Sequence, residues 1–184
     1  SGKLKTEEVE DHTNLLYVRL MYESAKFRGE LATDPQVQAC LALRLDDMEA
    51  WTAELDGLAE AAPEEHLPAS PGTDALLQAL RAKQNRMLRL AALLHKATVV
   101  HTRLDQVLDL LRDEWRGRSS QGSEWKVDGE FCGFEVVRQL RERRAAAATA
   151  LYGARQLYEA VQFGQATDSR MVTLHELNFK IKES

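Results

Sequence analysis

The sequence contains few residues that end helices or form disulfides: it has 4 prolines, 10 glycines and 2 cysteines among 184 residues. This scarcity argues against an all-β protein, which needs a turn about every ten residues. Two cysteines exclude a disulfide framework and a cysteine-ligated metal cage, and they favour a reducing compartment. No apolar run approaches the roughly 20 residues of a membrane-spanning helix, and no signal-peptide pattern opens the chain. We therefore expect a cytoplasmic helical protein without membrane insertion.

Charged residues make up 29% of the chain but are unevenly distributed. Residues 1–72 contain 6 Lys and Arg against 15 Asp and Glu, whereas residues 73–184 contain 18 against 14. The net charge of −5 argues against general affinity for nucleic acid. The asymmetry favours packing of acidic helices beside basic ones, and a basic docking face for an acidic partner is the alternative interpretation.

The first part of the chain predicts two helices. Apolar residues at helical spacing cover residues 11–31. Asp34 then matches an N-cap and Pro35 the first turn of a second helix, which we expect to continue until just before Pro63. Residues 63–72 contain three of the four prolines, so they predict a loop.

The remainder of the chain predicts one long helix and one shorter helix. Neither proline nor glycine occurs between Thr73 and Gly117, and apolar residues follow a heptad seam through this segment to Trp115. A helix of about 43 residues is roughly 65 Å long, so helices of similar length must cover its apolar side. Residues 116–133 contain four glycines and three serines and predict a long loop. A further helix is expected over residues 135–163.

The seam and its neighbours give a predicted core, and two seam positions are polar. Lys83 is expected to extend its alkyl stem toward the surface. His101 is expected to be a neutral group bonded to a facing side chain, with a pH-sensitive packing switch as the alternative. The expected core residues are Trp51, Leu90, Leu94, His101, Leu104, Leu108, Leu140 and Leu151.

Two aromatic residues in the segment 116–133 are the main candidate contact residues. Trp125 and Phe131 are large apolar groups in polar surroundings. They either fold back and cap the bundle or anchor a partner protein, since buried aromatic residues often dominate binding energy. Arg138 and Arg141 are further candidates for protein binding, although pairing with the acidic helices is favoured.

The sequence contains no arrangement typical of an enzyme. No two of its five histidines have the i, i+4 spacing that places two imidazoles on one helical face for zinc. A phosphate-binding glycine loop and a nucleophile elbow are also missing from the sequence. Cys40 lies on the apolar side of the second helix and is interpreted as a core residue. We expect no enzymatic activity, no metal and no cofactor.

Three segments resemble the helices of a spectrin repeat. Residues 73–111 (TDALLQALRAKQNRMLRLAALLHKATVVHTRLDQVLDLL) resemble the middle helix of the repeat. Residues 136–163, with the pair Arg143 and Arg144, resemble the third helix. Trp51, in the middle of the second predicted helix, resembles the tryptophan of the first helix of the repeat.

This resemblance implies an all-α fold, an elongated antiparallel three-helix bundle over residues 34–165. Residues 1–33 would be an N-terminal helix, the tail of a preceding repeat or an extra bundle helix, and residues 166–184 a short C-terminal helix. The resemblance implies a non-enzymatic scaffold or adaptor that binds cytoskeletal or signalling proteins, as part of a larger cytoskeleton-linked protein. Two alternatives stay open: a self-associating coiled-coil module, and a regulatory helical arm of a signalling protein such as a Rho-family exchange factor.

Overall fold

The computed structural model describes residues 6–60, 72–119 and 123–163. Within these ranges every regular element is an α-helix, which confirms the all-α prediction. The expected C-terminal helix over residues 166–184 and nearly all of the expected loop over residues 63–72 lie outside the described residues. The helices are α1 (Thr6–Thr33), α2 (Pro35–Leu41), α3 (Leu45–Glu60), α4 (Thr73–Arg118), α5 (Glu124–Cys132) and α6 (Glu135–Phe163).

The corner between α1 and α2 has the capping geometry that the sequence predicts. The Asp34 side chain accepts hydrogen bonds from the backbone N–H groups of Gln36, at 2.8 Å, and Val37, at 3.1 Å. Pro35 occupies the first turn of α2. The Gln38 amide donates to the carbonyl oxygen of Ala32 at 3.0 Å, so α1 ends with one of its last carbonyls bonded to the next helix.

The second predicted helix is interrupted, and its prediction as one continuous helix is wrong. Its residues form α2 and α3, which are separated at residues 42–44. The guanidinium of Arg143, on α6, donates to the carbonyl oxygens of Leu43, at 2.8 Å, and Leu41, at 3.2 Å. Carbonyls at the break therefore keep hydrogen-bond partners, which reduces the cost of leaving the helical ladder.

The segment 116–133 is also different from its prediction as a long loop. Helix α4 continues to Arg118, and residues 124–132 form the nine-residue helix α5. Ser123 occupies the N-cap position of α5, and Glu124 lies in its first turn, where a negative charge is favourable. The uninterrupted helix predicted from Thr73 is confirmed, with three residues more than expected, and α6 has the predicted bounds.

The described residues form two compact units, and α4 and α6 contribute to both. The first unit contains described residues of the ranges 1–43 and 103–143, and the second contains described residues of the ranges 44–102 and 144–184. Four aromatic side chains are buried in the first unit among leucine and valine side chains, and three of the rings are in contact. Leucine, alanine and valine form the main cluster of the second.

Most of the predicted core residues are buried. Trp51, Leu94 and His101 are half-buried. Lys83 is only 1% exposed, which differs from the expectation that its stem would carry the ammonium group to the surface. The buried members of the predicted set are Leu90, Leu104, Leu108, Leu140 and Leu151.

Candidate protein-docking surface

The two aromatic candidates of the sequence have opposite environments, although both lie on α5. Trp125 is 78% exposed, whereas Phe131 is 1% exposed. The Arg112 guanidinium lies over the Phe131 ring, 6.0 Å from its centroid. Phe131 is therefore a core residue and is unavailable as an exposed anchor, while Trp125 points to solvent.

The two basic candidates lie on α6 and do not form a shared site with Trp125. Arg138 forms ion pairs with Glu135 and, at 2.6 Å, with Glu142, both on its own helix rather than on the acidic helices that the sequence suggested. The hydrogen bond from Arg138 is the main reason why the pKa of Glu135 is lowered, and the same pairing raises the pKa of Arg138. Arg141 is exposed.

Among the described residues, exposed large apolar side chains are most concentrated on α1, where the sequence analysis placed no contact residue. Five large apolar side chains within eight residues of this helix are between 57% and 68% exposed. A helix that is apolar on nearly all sides is normally buried. The sequence indicates this surface in residues 15–22 (LLYVRLMY), because seven of these eight residues are apolar or aromatic and one side of a helix cannot bury them all. These exposed residues, the α1 cluster, are Leu15, Tyr17, Val18, Met21 and Tyr22.

The C-terminal half of α1 is anchored by an aromatic cluster. The Phe27 ring lies 5.3 Å from that of Trp115 and 5.1 Å from that of Phe134, and the latter two rings are 4.9 Å apart. Arg118 lies over the Phe27 ring and forms an ion pair with Glu30. Tilted and edge-to-face pairs of this kind add to the energy of burial. The anchored half of α1 thus holds the exposed half in place.

Helix α5 is attached to the end of α4 by charged groups. Arg116 forms ion pairs with Glu124, at 3.0 Å, and with Asp128, at 3.3 Å. The Ser119 hydroxyl donates to the Glu130 carboxylate at 2.9 Å. With one side of α5 bonded to α4 and Val127 and Phe131 buried, Trp125 is left on the outer side.

A groove of about 270 Å³ lies between α1, the end of α4 and α5. Leu16 and Leu20 provide apolar wall on the α1 side, and Trp115 and Arg118 contribute from α4. The buried Nε1 of Trp115 and Nη1 of Arg118 have no hydrogen-bond acceptor within the described residues. Apolar walls with polar groups at their margin are typical of protein–protein interfaces. The full lining is Thr13, Leu16, Tyr17, Arg19, Leu20, Glu23, Trp115, Arg118, Ser119, Lys126 and Glu130.

Cys40, the buried cysteine, has the environment of an unreactive thiol. Burial raises its pKa, Arg103 opposes this effect, and the charge of Asp34 adds to it. The group therefore stays protonated at neutral pH, and a protonated thiol is a poor nucleophile. This environment fits the interpretation of Cys40 as a core residue.

Residues 6–60, 72–119 and 123–163 show neither a metal-ligand group nor a membrane-spanning helix. These residues contain no group of three or more His, Cys, Asp or Glu side chains placed to hold a metal ion. None of the described helices is both long enough and apolar enough to cross a membrane. No family model, curated protein or solved structure matches the chain.

Proposed function

We propose that this chain is a non-enzymatic helical module for protein–protein interaction, a scaffold or adaptor whose docking surface is the α1 cluster. The observation that carries the proposal is the concentration of five exposed apolar side chains within residues 15–22. Scattered single apolar residues are normal on a protein surface, but contiguous apolar patches mark interaction sites.

The composition of the α1 cluster supports binding of another protein rather than of a small ligand. Two of its five members are tyrosines, and Trp125 on α5 offers a further exposed aromatic group. Tyrosine and tryptophan are enriched among the residues that contribute most to protein–protein binding energy. A helical face also lacks the enclosure that small-molecule sites provide.

The finer form of the proposal is a spectrin-like bundle in a larger cytoskeleton-linked protein of the cytoplasm. The resemblance of residues 73–111 and 136–163 to two helices of the spectrin repeat supports it. The 46-residue length of α4 also suits a repeat of this kind. The interruption at residues 42–44 and the additional helix α5 are features that a spectrin-like bundle must accommodate.

A photo-crosslinking experiment in cells tests the docking function. A benzophenone amino acid replaces Tyr17, which is 62% exposed in the α1 cluster, and in a separate variant it replaces Tyr152, which is 56% exposed on α6. We expect a crosslinked adduct heavier than the chain at position 17 and little or none at position 152. Because both sites are tyrosines of similar exposure, equal yields at the two positions, or no adduct at position 17, would contradict the proposal.

A further inference from the structure

The exposed residues of α1 also show a regular spacing along the helix. Seven of its residues follow one another at alternating steps of three and four, and all seven are exposed. This is the heptad spacing by which one helix packs along another in a coiled coil. These residues, the outer stripe, are Glu8, Asp11, Leu15, Val18, Tyr22, Ala25 and Gly29.

The apolar and small residues of the outer stripe are arranged for close helix contact. Leu15, Val18 and Tyr22 form its centre. Ala25 and Gly29 follow toward the C-terminal end, and a Cβ atom placed on Gly29 would have no heavy atom within 4 Å. Small residues at these positions let a second helix approach the backbone, and the space in front of Gly29 is open.

The charges of α1 are divided between its two ends. Glu10 and Asp11 are exposed near its start, Arg19 is exposed at its middle, and Lys26 and Arg28 are exposed in its second half. The acidic residues of the second half are both half-buried, and one of them pairs with Arg118. An antiparallel copy of α1 therefore places acidic ends beside basic ends, whereas a parallel copy places like charges together.

We propose that the outer stripe binds a second copy of this chain, with the two α1 helices antiparallel about a two-fold axis near Val18. The inference rests on the proposed docking function and names the partner. A two-fold interface uses the same patch on both subunits, so the patch must complement itself. The outer stripe meets that condition because its apolar centre faces its own counterpart. Its acidic end, Glu8 and Asp11, then lies near Lys26 and Arg28, which flank the other end of the stripe on the second copy.

Sedimentation equilibrium of the purified chain, over a series from low micromolar to several hundred micromolar, measures self-association. We expect a monomer–dimer equilibrium that Val18→Glu shifts at least tenfold toward monomer. Leu88→Glu is the matched control, since Leu88 is 69% exposed on α4 and lies outside the outer stripe. Circular dichroism checks that both variants stay helical. A chain that is monomeric throughout, or a dimer that Val18→Glu leaves unchanged, would overturn the proposal.

Cysteine crosslinking tests the orientation of the two helices. In a Cys132→Ser background, with the buried Cys40 retained, Asp11→Cys and Ala25→Cys variants are mixed and oxidised under mild conditions. The antiparallel arrangement predicts a mixed disulfide between position 11 of one copy and position 25 of the other. Preferential disulfides between identical positions 11 and 11 would instead show a parallel pair and refute the proposed arrangement.

The two proposals fail separately. If the adduct at position 17 contains a different protein and the purified chain stays monomeric, the docking function stands and the second copy is rejected. If position 17 yields no adduct and the chain is monomeric, both proposals are rejected. An adduct of twice the mass of the chain, abolished by Val18→Glu, supports both.

Discussion

In the core of the first unit a cluster of aromatic rings packs among leucine and valine side chains, whereas the main core cluster of the second unit consists of leucine, alanine and valine. The rings of Phe27, Trp115 and Phe134 lie within 5.3 Å of one another. In the second unit small residues on α6 allow close approach, since a Cβ atom on Gly153 would lie 3.4 Å from the Leu55 side chain. Large aromatic rings therefore fill part of the core of the first unit, whereas in the second unit a small residue on α6 allows close helix packing.

The surfaces of the two units also differ. In the described part of the second unit, large exposed apolar residues are scattered along α4 and α6, as with Leu88, Val99 and Tyr152. In the first unit five such residues are concentrated in the α1 cluster. The difference indicates that α1 has more apolar surface than its own unit covers, which is the basis of both proposals above.

The largest effect is expected from the aromatic core of the first unit. Trp115 is fully buried, so Trp115→Ala should lower the free energy of unfolding by about 3–5 kcal/mol. Trp125→Ala is the matched control, because Trp125 is exposed and its loss should change stability by about 0.5 kcal/mol or less. Urea denaturation measures both. Similar losses in the two variants would show that Trp125 caps the bundle.

The hydrogen bonds at the break between α2 and α3 should have the next largest effect. Arg143→Ala leaves the carbonyl groups of Leu41 and Leu43 without these charged donors, at a cost of about 1.5–3 kcal/mol. Arg141→Ala, at an exposed site on the same helix, should cost about 0.5 kcal/mol or less. Urea denaturation compares the two variants, and equal losses would mean that Arg143 does not stabilise the break.

A smaller effect is expected from the attachment of α5. Asp128→Asn removes the ion pairs with Arg112 and Arg116, and partly exposed pairs contribute about 0–1 kcal/mol each. Backbone amides of α5 should exchange hydrogen faster in this variant, while those of α6 should not change. Asp109→Asn, at an exposed site on α4, is the control. If hydrogen exchange in α5 is unchanged in Asp128→Asn, the ion pairs do not hold α5 in place, and the burial of Val127 and Phe131 is sufficient.

The smallest effect is expected from the exposed pair at the start of α6. The pKa of Glu135 lies below its ordinary value of 4.5, mainly because Arg138 donates a hydrogen bond to it. The stabilisation is therefore present above that pH, and it is lost as the pH falls through the lowered pKa. A Glu135→Gln variant should match the wild type in thermal stability near pH 2 and differ slightly near pH 6. A difference that grows on acidification would contradict this assignment.

The sequence predicts those helices whose signals are local. Asp34 and Pro35 are adjacent to the start that they determine, and the heptad seam from Thr73 needs only the absence of proline and glycine. The break between α2 and α3 has no such signal, because Arg143, whose side chain bonds the freed carbonyls, lies about 100 residues away. Helix α5 was missed for a related reason: its glycines and polar residues suggest a loop until the contacts with α4 are known.

For the candidate surface, too, the sequence predicted some features and the tertiary contacts decided others. The sequence identified Trp125 and Phe131 as unusual, but only the packing of α5 within the first unit decided that Phe131 is buried and Trp125 exposed. The α1 cluster was visible as a run of apolar residues, yet periodicity cannot tell which sides of a helix find neighbours.

The amino-acid sequence by itself determined that α1, α4 and α6 are helices and where α4 and α6 begin, because helix propensity, capping and apolar spacing act between residues close in the chain. The tertiary structure alone decided which apolar side chains are left uncovered and which carbonyls Arg143 bonds. Burial depends on what lies in front of a side chain, and that neighbour comes from another part of the chain.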